Sequence, residues 1–209
     1  MKIMFQHGLA PALALATGCA LLISLVGCAP PDADAQQVTR SATEEKSADH
    51  QHPQSVRMKI GQPMHGVAIL RATDGNEVSG NLSLQDTSRG LRITGVVAGL
   101  TPGEHGFHIH QYGDLSDPAG KSAGGHFNPS GEKHGGPHDD VRHAGDFGNI
   151  KANDKGEAIV DVLAPQMKLS YVLGRSIVVH GDADDLKSQP SGAAGPRVAL
   201  AVIGLAEGS

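Results

Sequence analysis

The sequence predicts an all-β domain, an antiparallel sandwich or barrel with two long functional loops. Short runs of alternating apolar residues recur along the chain, and Gly, Asn and Asp separate them. No stretch beyond the N-terminal segment has the 3.6-residue apolar period of an amphipathic helix. Many short strands joined by turns are typical of antiparallel sandwiches and barrels.

The elements follow in order along the chain. Strands are predicted at 66–70, 78–85, 91–100, 105–110, 157–163, 176–180 and 197–204. DGN at 74–76 and NDKGE at 153–157 have the composition of hairpin turns. Two long segments, 111–142 and 181–196, show no strand pattern. Because long loops in compact domains usually carry function, we expect the functional residues in and beside them.

The N-terminal segment is not expected to belong to this domain. Residues 1–27 have a short charged start, an apolar middle and LVG before Cys28, which is the pattern of a bacterial lipoprotein signal. Cys28 is the predicted lipidation site, Cys19 is a weaker candidate, and an ordinary signal peptide is the alternative. Residues 28–56 have almost no large apolar side chain and predict a disordered tether. The domain is then 57–209.

Charge and cysteine content exclude several classes of function. The net charge is −5 and no basic patch is interleaved with aromatic residues, which argues against a nucleic-acid partner. The chain has two cysteines, and both lie in the predicted signal. The domain can therefore form no internal disulfide, and no thiolate is available as a metal ligand.

Six histidines and one aspartate have spacings that suit two metal ions sharing one ligand. His108 and His110 are two apart on a strand, so their rings point to one face while Phe107 and Ile109 point to the other. His180 ends a later strand and is a natural further ligand. Imidazole ligands without thiolates suit copper(II) and zinc.

The first long loop and the residues just after it carry the rest of the set. Three imidazoles and one carboxylate suit a closed tetrahedral zinc site, and binding of the metal would order a polar loop. These residues are His126, His134, His143 and Asp146.

The remaining histidines receive other predictions. His105 is an odd number of residues from both strand ligands and is predicted to be structural, bonding backbone through its ring. His138 is a residual candidate ligand, and His65 is predicted at the surface. His50 and His52 are predicted to be solvated tether residues, with weak metal binding as the alternative.

Three motifs together resemble the copper/zinc superoxide dismutase family, and the resemblance covers roughly 66–207. They are GFHIHQYGD, AGGHFNPSGEKHGGPHDDVRHAGDFGNI and SIVVHGDADDL. The resemblance implies a Greek-key, immunoglobulin-like β-sandwich or barrel. It implies dismutation of superoxide to dioxygen and hydrogen peroxide by a copper centre that shares a histidine with zinc. The alternative is a non-enzymatic periplasmic copper/zinc-binding protein on the same fold. A zinc-dependent hydrolase would lack an obvious general base.

The resemblance also implies individual roles. It implies copper on His108, His110, His126 and His180, and zinc on His126, His134, His143 and Asp146. His126 would be the shared imidazolate that carries a proton, and Arg197 would hold an anion beside copper. Asp184 matches the carboxylate that joins a copper-ligand histidine to a zinc-ligand histidine, with Asp182 and Asp185 as neighbouring candidates. Arg197 and Lys187 are candidates for steering the substrate.

One departure from the family concerns the disulfide that usually ties the metal loop to the last strand. The corresponding places, near Gly120–Lys121 and at Leu200, hold no cysteine. We expect apolar packing by Leu200 instead, and a greater dependence of loop order on zinc. The resemblance implies superoxide as the substrate. The signal pattern predicts export to the cell envelope or periplasm, with a lipid on Cys28 that anchors the protein to a membrane. The protein would be a monomer or a homodimer.

Overall fold

The structure is a computed structural model that describes residues 64–207. The predicted signal and tether, Cys28, His50 and His52 lie outside the described residues. Within them the strands are β1 (His65–Ala72), β2 (Ser79–Thr87), β3 (Gly90–Ala98), β4 (Gly103–His110), β5 (Asp146–Ala152), β6 (Ala158–Ala164), β7 (Ser176–His180), β8 (Arg197–Val202) and β9 (Gly204–Leu205).

Eight of these strands close into an antiparallel barrel. The order around the barrel is β1-β2-β3-β6-β5-β4-β7-β8, and the barrel closes because β1 pairs with both β2 and β8. The short strand β9 adds to β1. Because β3 pairs with β6 and β4 pairs with β7, the connections from β3 to β4 and from β6 to β7 cross over intervening strands, which gives a Greek-key arrangement. The prediction of an all-β Greek-key fold is confirmed, in its closed barrel form.

Strand β5 was not predicted from the sequence. Its residues, DFGNIKA, include Gly148 at φ 71° and the polar Asn149, and both disrupt the alternation expected of a strand. The predicted NDKGE turn joins β5 to β6, and the Asn153 N–H donates to the Glu157 carbonyl at 2.9 Å. The DGN turn likewise joins β1 to β2.

Helical structure in residues 64–207 is confined to a 3₁₀ turn at Lys121–Ala123 and one α-helical turn, α1, at Leu169–Val172. No helix in this part of the chain has the length and apolar character needed to cross a membrane.

The alternation along β4 separates the core from the candidate site. Phe107 and Ile109 are fully buried in the main apolar cluster of the barrel. His108 and His110 point to the other face, and they are also buried because the loops at 111–145 and 181–196 contact their rings. The strands therefore supply a rigid platform, and the two loops enclose the polar residues on it.

Candidate metal centre

Two groups of four potential ligands meet at this face of the barrel, and one residue belongs to both. In each group the candidate ligand atoms lie within 4.8 Å of one another, and every member is buried. The first group is His108, His110, His126 and His180, and the second is His126, His134, His143 and Asp146. The seven residues singled out from the sequence are thus brought together in two adjoining sets.

Paired strands position the first group. Strands β4 and β7 are antiparallel neighbours, and His180 is the last residue of β7. The ring centroid of His180 lies 5.0 Å from that of His108 and 5.5 Å from that of His110. His126 joins this platform through an isolated bridge to His110. The N–H of Phe127 donates to the carbonyl of Ile109 at 2.7 Å, which ties the loop to β4 at this point.

Backbone carbonyls fix the rings of His110 and His180. His110 Nδ1 lies 2.9 Å from the Gly124 carbonyl, and His180 Nδ1 lies 3.3 Å from the Gly195 carbonyl. Because each Nδ1 donates to a carbonyl, each Nε2 keeps its lone pair. These two Nε2 atoms lie only 3.3 Å apart. Two lone pairs at that distance suit a shared cation.

Asp184 joins the two groups. Its Oδ2 lies 2.8 Å from His108 Nε2, and its Oδ1 lies 2.9 Å from His134 Nε2. Both rings therefore present Nδ1 toward the candidate metal positions. Asp184 is buried, whereas its neighbours Asp182 and Asp185 are exposed. A carboxylate in this position fixes the tautomer and direction of both imidazoles.

Three buried ring nitrogens have no hydrogen-bond partner in the described residues, namely His108 Nδ1, His126 Nε2 and His134 Nδ1. His134 Nδ1 lies 3.1 Å from Asp146 Oδ2, but that contact is an electrostatic one without hydrogen-bond geometry. Unpaired buried polar atoms are costly, and three in one site require an explanation. All three face the candidate metal positions, so copper and zinc fit the residues present.

The shared residue, His126, directs its two nitrogens differently. Its Nδ1 lies 2.7 Å from Asp146 Oδ1 and 3.4 Å from His143 Nδ1, within the second group. Its Nε2 is the unpartnered atom, and its ring centroid is 4.0 Å from that of His108 and 5.0 Å from that of His110. The ring therefore lies between the two groups, as a bridging ligand requires.

Burial keeps three rings of the first group, those of His108, His110 and His180, neutral. Desolvation lowers the pKa of His108 to about 4 and the pKa of His180 to about 3, against the opposing effects of Asp184 and the Gly195 carbonyl respectively. Desolvation also lowers the pKa of His110 well below its ordinary value. At neutral pH these rings are uncharged and offer lone pairs to a cation.

Asp146 is ionised and held in place by the loop that it closes. Burial raises its pKa, but hydrogen bonds from His126 and from the Gly135 N–H outweigh burial and hold the pKa at about 2. Oδ2 also accepts the His143 N–H at 2.9 Å. The second group therefore combines three imidazoles with a carboxylate anion, which is a donor set suited to zinc.

Arg197 lies at the mouth of the first group. Its side chain donates to the carbonyls of Gly120 and Gly124. It lines an open cavity of about 360 Å³ together with His110, His126 and His180. The two carbonyls occupy two of the five guanidinium N–H donors, so others can face an anion in the cavity.

Leu200 packs at the place where the resemblance implies a disulfide that this sequence lacks. It is 5% exposed and forms a small apolar cluster with Ala123 and Val178, separate from the main core. A Cβ placed on Gly120 would lie 2.6 Å from Leu200 Cδ1, so the loop backbone lies directly on this side chain. Apolar packing by Leu200, as expected, holds the loop to β8.

The other described histidines lie outside both groups. His105 is buried, with Nδ1 2.8 Å from the His180 carbonyl and Nε2 2.8 Å from the Thr101 carbonyl, which is the structural role expected for it. His138 is exposed, and His65 is half-buried at the start of β1. Lys187 is exposed in the 181–196 loop.

Two amide side chains near the site were not singled out from the sequence. Asn149 donates from Nδ2 to the Asp184 carbonyl at 2.8 Å, and its Oδ1 accepts the Asp184 N–H at 2.7 Å. Gln189 makes the corresponding pair of contacts with the backbone of His134. No sequence signal identifies either residue, because both act on distant backbone groups.

Known proteins resemble this chain in both sequence and fold. A family model described as copper/zinc superoxide dismutase matches residues 78–203. The extracellular superoxide dismutase (Cu-Zn) of Onchocerca volvulus is 45% identical over 163 residues, which cover 68% of this chain and 80% of that protein. The protein of the same name from Brugia pahangi is 39% identical over 163 residues, which cover 72% and 81%.

A solved structure gives the same result. The crystal structure of the clock protein EA4 superimposes with a TM-score of 0.65 at 36% sequence identity, and the match covers 71% of this chain and 99% of that one. The segment that the family model matches, residues 78–203, includes every residue of the two ligand groups, Asp184 and Arg197. On these matches, the chain belongs to the copper/zinc superoxide dismutase family.

Proposed function

We propose that this protein converts superoxide to dioxygen and hydrogen peroxide at a copper ion that shares one imidazole with a zinc ion. The reaction class and the two metals follow from membership of the family. The assignment of individual residues is our proposal. Copper would be held by His108, His110, His126 and His180, and zinc by His126, His134, His143 and Asp146.

The observation that carries the assignment is the placement of His126 in both ligand groups. Copper, when bound, supplies the one-electron chemistry that oxidises one superoxide and reduces another. The overall reaction consumes two superoxide anions and two protons and yields one dioxygen and one hydrogen peroxide. Within the described residues His126 Nε2 has no protein partner. We propose that this nitrogen, when it is not bound to copper, holds the proton that passes to the departing peroxide.

The protein's own side chains perform the other tasks. Arg197 lines the cavity beside His110 and His180, where its remaining donors can bind an anion. Because the chain is acidic overall, with a net charge of −5, a local cation is needed to draw superoxide into the cavity. Asp184 contacts the rings of both His108 and His134, so it keeps one ligand of each metal position in a fixed orientation relative to the other.

Replacement of Arg197 by alanine tests the enzymatic proposal against a metal carrier on the same fold. A charge-assisted contact of about 1.5–3 kcal/mol predicts a dismutation rate lowered at least about tenfold. Activity is compared at matched copper and zinc content, because Arg197 belongs to neither ligand group but its contacts with the Gly120 and Gly124 carbonyls also support the loop. The matched control is Arg92→Ala, which removes an exposed arginine paired with Asp161 on the barrel wall. Full activity in Arg197→Ala protein, or a wild-type protein that binds both metals without activity, contradicts the proposal.

We also propose export with a lipid anchor on Cys28. The names of the two relatives describe extracellular proteins, which supports export. The anchor is supported by the LVGC pattern alone. Cys28→Ala should move the protein from the membrane fraction to the soluble fraction, and mass spectrometry of the mature wild-type protein should find an acylated N-terminal cysteine. An unmodified N-terminus contradicts the anchor. A monomer and a homodimer both remain predictions, which sedimentation velocity distinguishes.

A further inference from the structure

The side chain of Gln189 pairs with the backbone of a residue 55 positions away. Its Oε1 accepts the N–H of His134 at 2.9 Å, and its Nε2 donates to the carbonyl of His134 at 2.9 Å. The amide thus satisfies both backbone groups of one residue, as a neighbouring strand would do. Nε2 also lies 3.1 Å from the carbonyl of Lys187, which fixes the direction of the side chain.

His134 is therefore held from two sides by one short segment, 184–189. Asp184 contacts its ring at Nε2, and Gln189 contacts its backbone. A side chain keeps its direction only if both its backbone and its ring are fixed. With both fixed, Nδ1 is the nitrogen left to face the second ligand group, and it is one of the unpartnered buried atoms.

The segment that follows Gln189 lines the cavity of the first group. Pro190, Ser191 and Gly195 form part of the wall that also includes Arg197. Backbone contacts close this segment on itself, since the N–H of Asp185 donates to the Gly192 carbonyl at 2.8 Å. The contact between Gln189 and His134 thus connects a candidate zinc ligand to the wall of the copper cavity.

We propose that Gln189 is a positioning residue that couples occupancy of the zinc site to the placement of the cavity wall at 190–195. The proposal rests on the assignment of zinc to His134. Coupling between two sites is reciprocal, so the contact that zinc strengthens must also raise the affinity for zinc. Loss of the amide should weaken zinc binding and loosen the wall together.

Two substitutions in the full chain separate the contributions of the amide. Gln189→Leu removes both contacts with little change in size. Gln189→Glu keeps an acceptor for the His134 N–H, but it places a carboxylate oxygen against the His134 and Lys187 carbonyls. The matched control is Gln85→Leu on the exposed side of β2, which makes the same chemical change away from the site.

Zinc affinity is measured on copper-free protein by competition with a chelator. Coupling of typical size predicts a zinc dissociation constant raised at least about fivefold in Gln189→Leu, and at least as much in Gln189→Glu. The zinc dissociation constant of the control variant, Gln85→Leu, should stay within about twofold of the wild-type value, as expected for an exposed position. Wild-type affinity in Gln189→Glu shows that donation to the His134 carbonyl is not used, and overturns the proposal.

Two further readouts distinguish positioning from general stability. The visible spectrum of cobalt(II) in the zinc site reports the direction of the ligands and should change in both Gln189 variants but not in Gln85→Leu. In zinc-loaded Gln189→Leu, hydrogen exchange at the amides of His134, Asp185 and Gly192 should be faster than in zinc-loaded wild-type protein. Equal loss of metal-free stability and zinc affinity indicates an ordinary structural contact and overturns the proposal. Wild-type protein that binds no zinc contradicts the metal assignment instead.

Discussion

Leu200→Ala is the sharpest test of how the metal loop is held without a disulfide. Leu200 is 5% exposed, and it packs with Ala123 and Val178 in a cluster separate from the main core. Buried leucine-to-alanine substitutions cost about 2–5 kcal/mol, depending on how far the site collapses. Because the loop backbone at Gly120 can move into the space, we expect the lower part of that range, about 2–3 kcal/mol.

The same substitution should affect the cavity. Arg197 donates to the carbonyls of Gly120 and Gly124, which lie on either side of the turn that Leu200 supports. A loop that moves toward the missing side chain carries those two carbonyls with it. Leu200→Ala should therefore lower dismutation in fully metallated protein, in addition to lowering the free energy of unfolding.

Urea unfolding of the metal-free protein measures the first effect, and a superoxide assay at matched metal content measures the second. The control is Leu205→Ala on β9, where the leucine is 60% exposed and the expected loss is below about 0.5 kcal/mol. If the two variants lose the same free energy, Leu200 does not anchor the loop and the reasoning is refuted.

Two further predictions concern the buried polar residues. Asp184→Asn should weaken zinc binding about 10–100-fold, because one amide oxygen cannot accept from both His108 and His134, and chelator competition should show no such change in the exposed Asp182→Asn. Metal-free protein should lose stability as pH falls, because burial lowers the folded-state pKa of His108 to about 4 and of His180 to about 3 from 6.5. Below pH 6.5 the unfolded chain binds more protons than the folded chain. Each of these two histidines should therefore lower the free energy of unfolding by roughly 2 kcal/mol between pH 7 and pH 5. Urea unfolding at the two pH values measures the loss. An equal free energy of unfolding at pH 7 and pH 5 contradicts the lowered pKa values of His108 and His180.

Local periodicity explains why most of the site could be predicted. His108 and His110 are separated by two residues on a strand, so a common face follows from strand geometry without knowledge of the fold. The apolar neighbours Phe107 and Ile109 then had to face the core, as they do. Strand β5 was not predicted because Gly148 and Asn149 interrupt the apolar alternation. The structure shows that the polar side chain of Asn149 binds the backbone of Asp184.

Contacts between distant residues account for what the sequence did not reveal. Asn149 and Gln189 each bind the backbone of a residue 35 and 55 positions away, respectively. Such a contact depends on where a loop returns to the barrel, and backbone groups carry no residue-specific signal. Resemblance identified Asp184 because its partners are side chains in recognisable motifs, whereas the two amides have partners that any sequence would supply.

The two ligand groups differ in rigidity, and this difference predicts how zinc acts. His108, His110 and His180 lie on the paired strands β4 and β7. His134 and His143 lie in a loop whose only regular element in the described structure is the 3₁₀ turn at Lys121–Ala123. Without a disulfide, the loop depends on Leu200, on Arg197 and on the metal.

Zinc at a concentration of about 100 times its dissociation constant should raise the free energy of unfolding by about 2.7 kcal/mol. For a domain of this size that corresponds to a melting midpoint raised by roughly 5–10 °C. Hydrogen exchange should locate the gain, with new protection at residues 126–146 and little change in β4 and β7. An unchanged midpoint, or protection spread evenly over the barrel, contradicts a zinc-ordered loop. Protection confined to the loop would mean that the barrel presents the copper ligands before any metal binds, and that zinc completes the site by fixing His126 between the two ions.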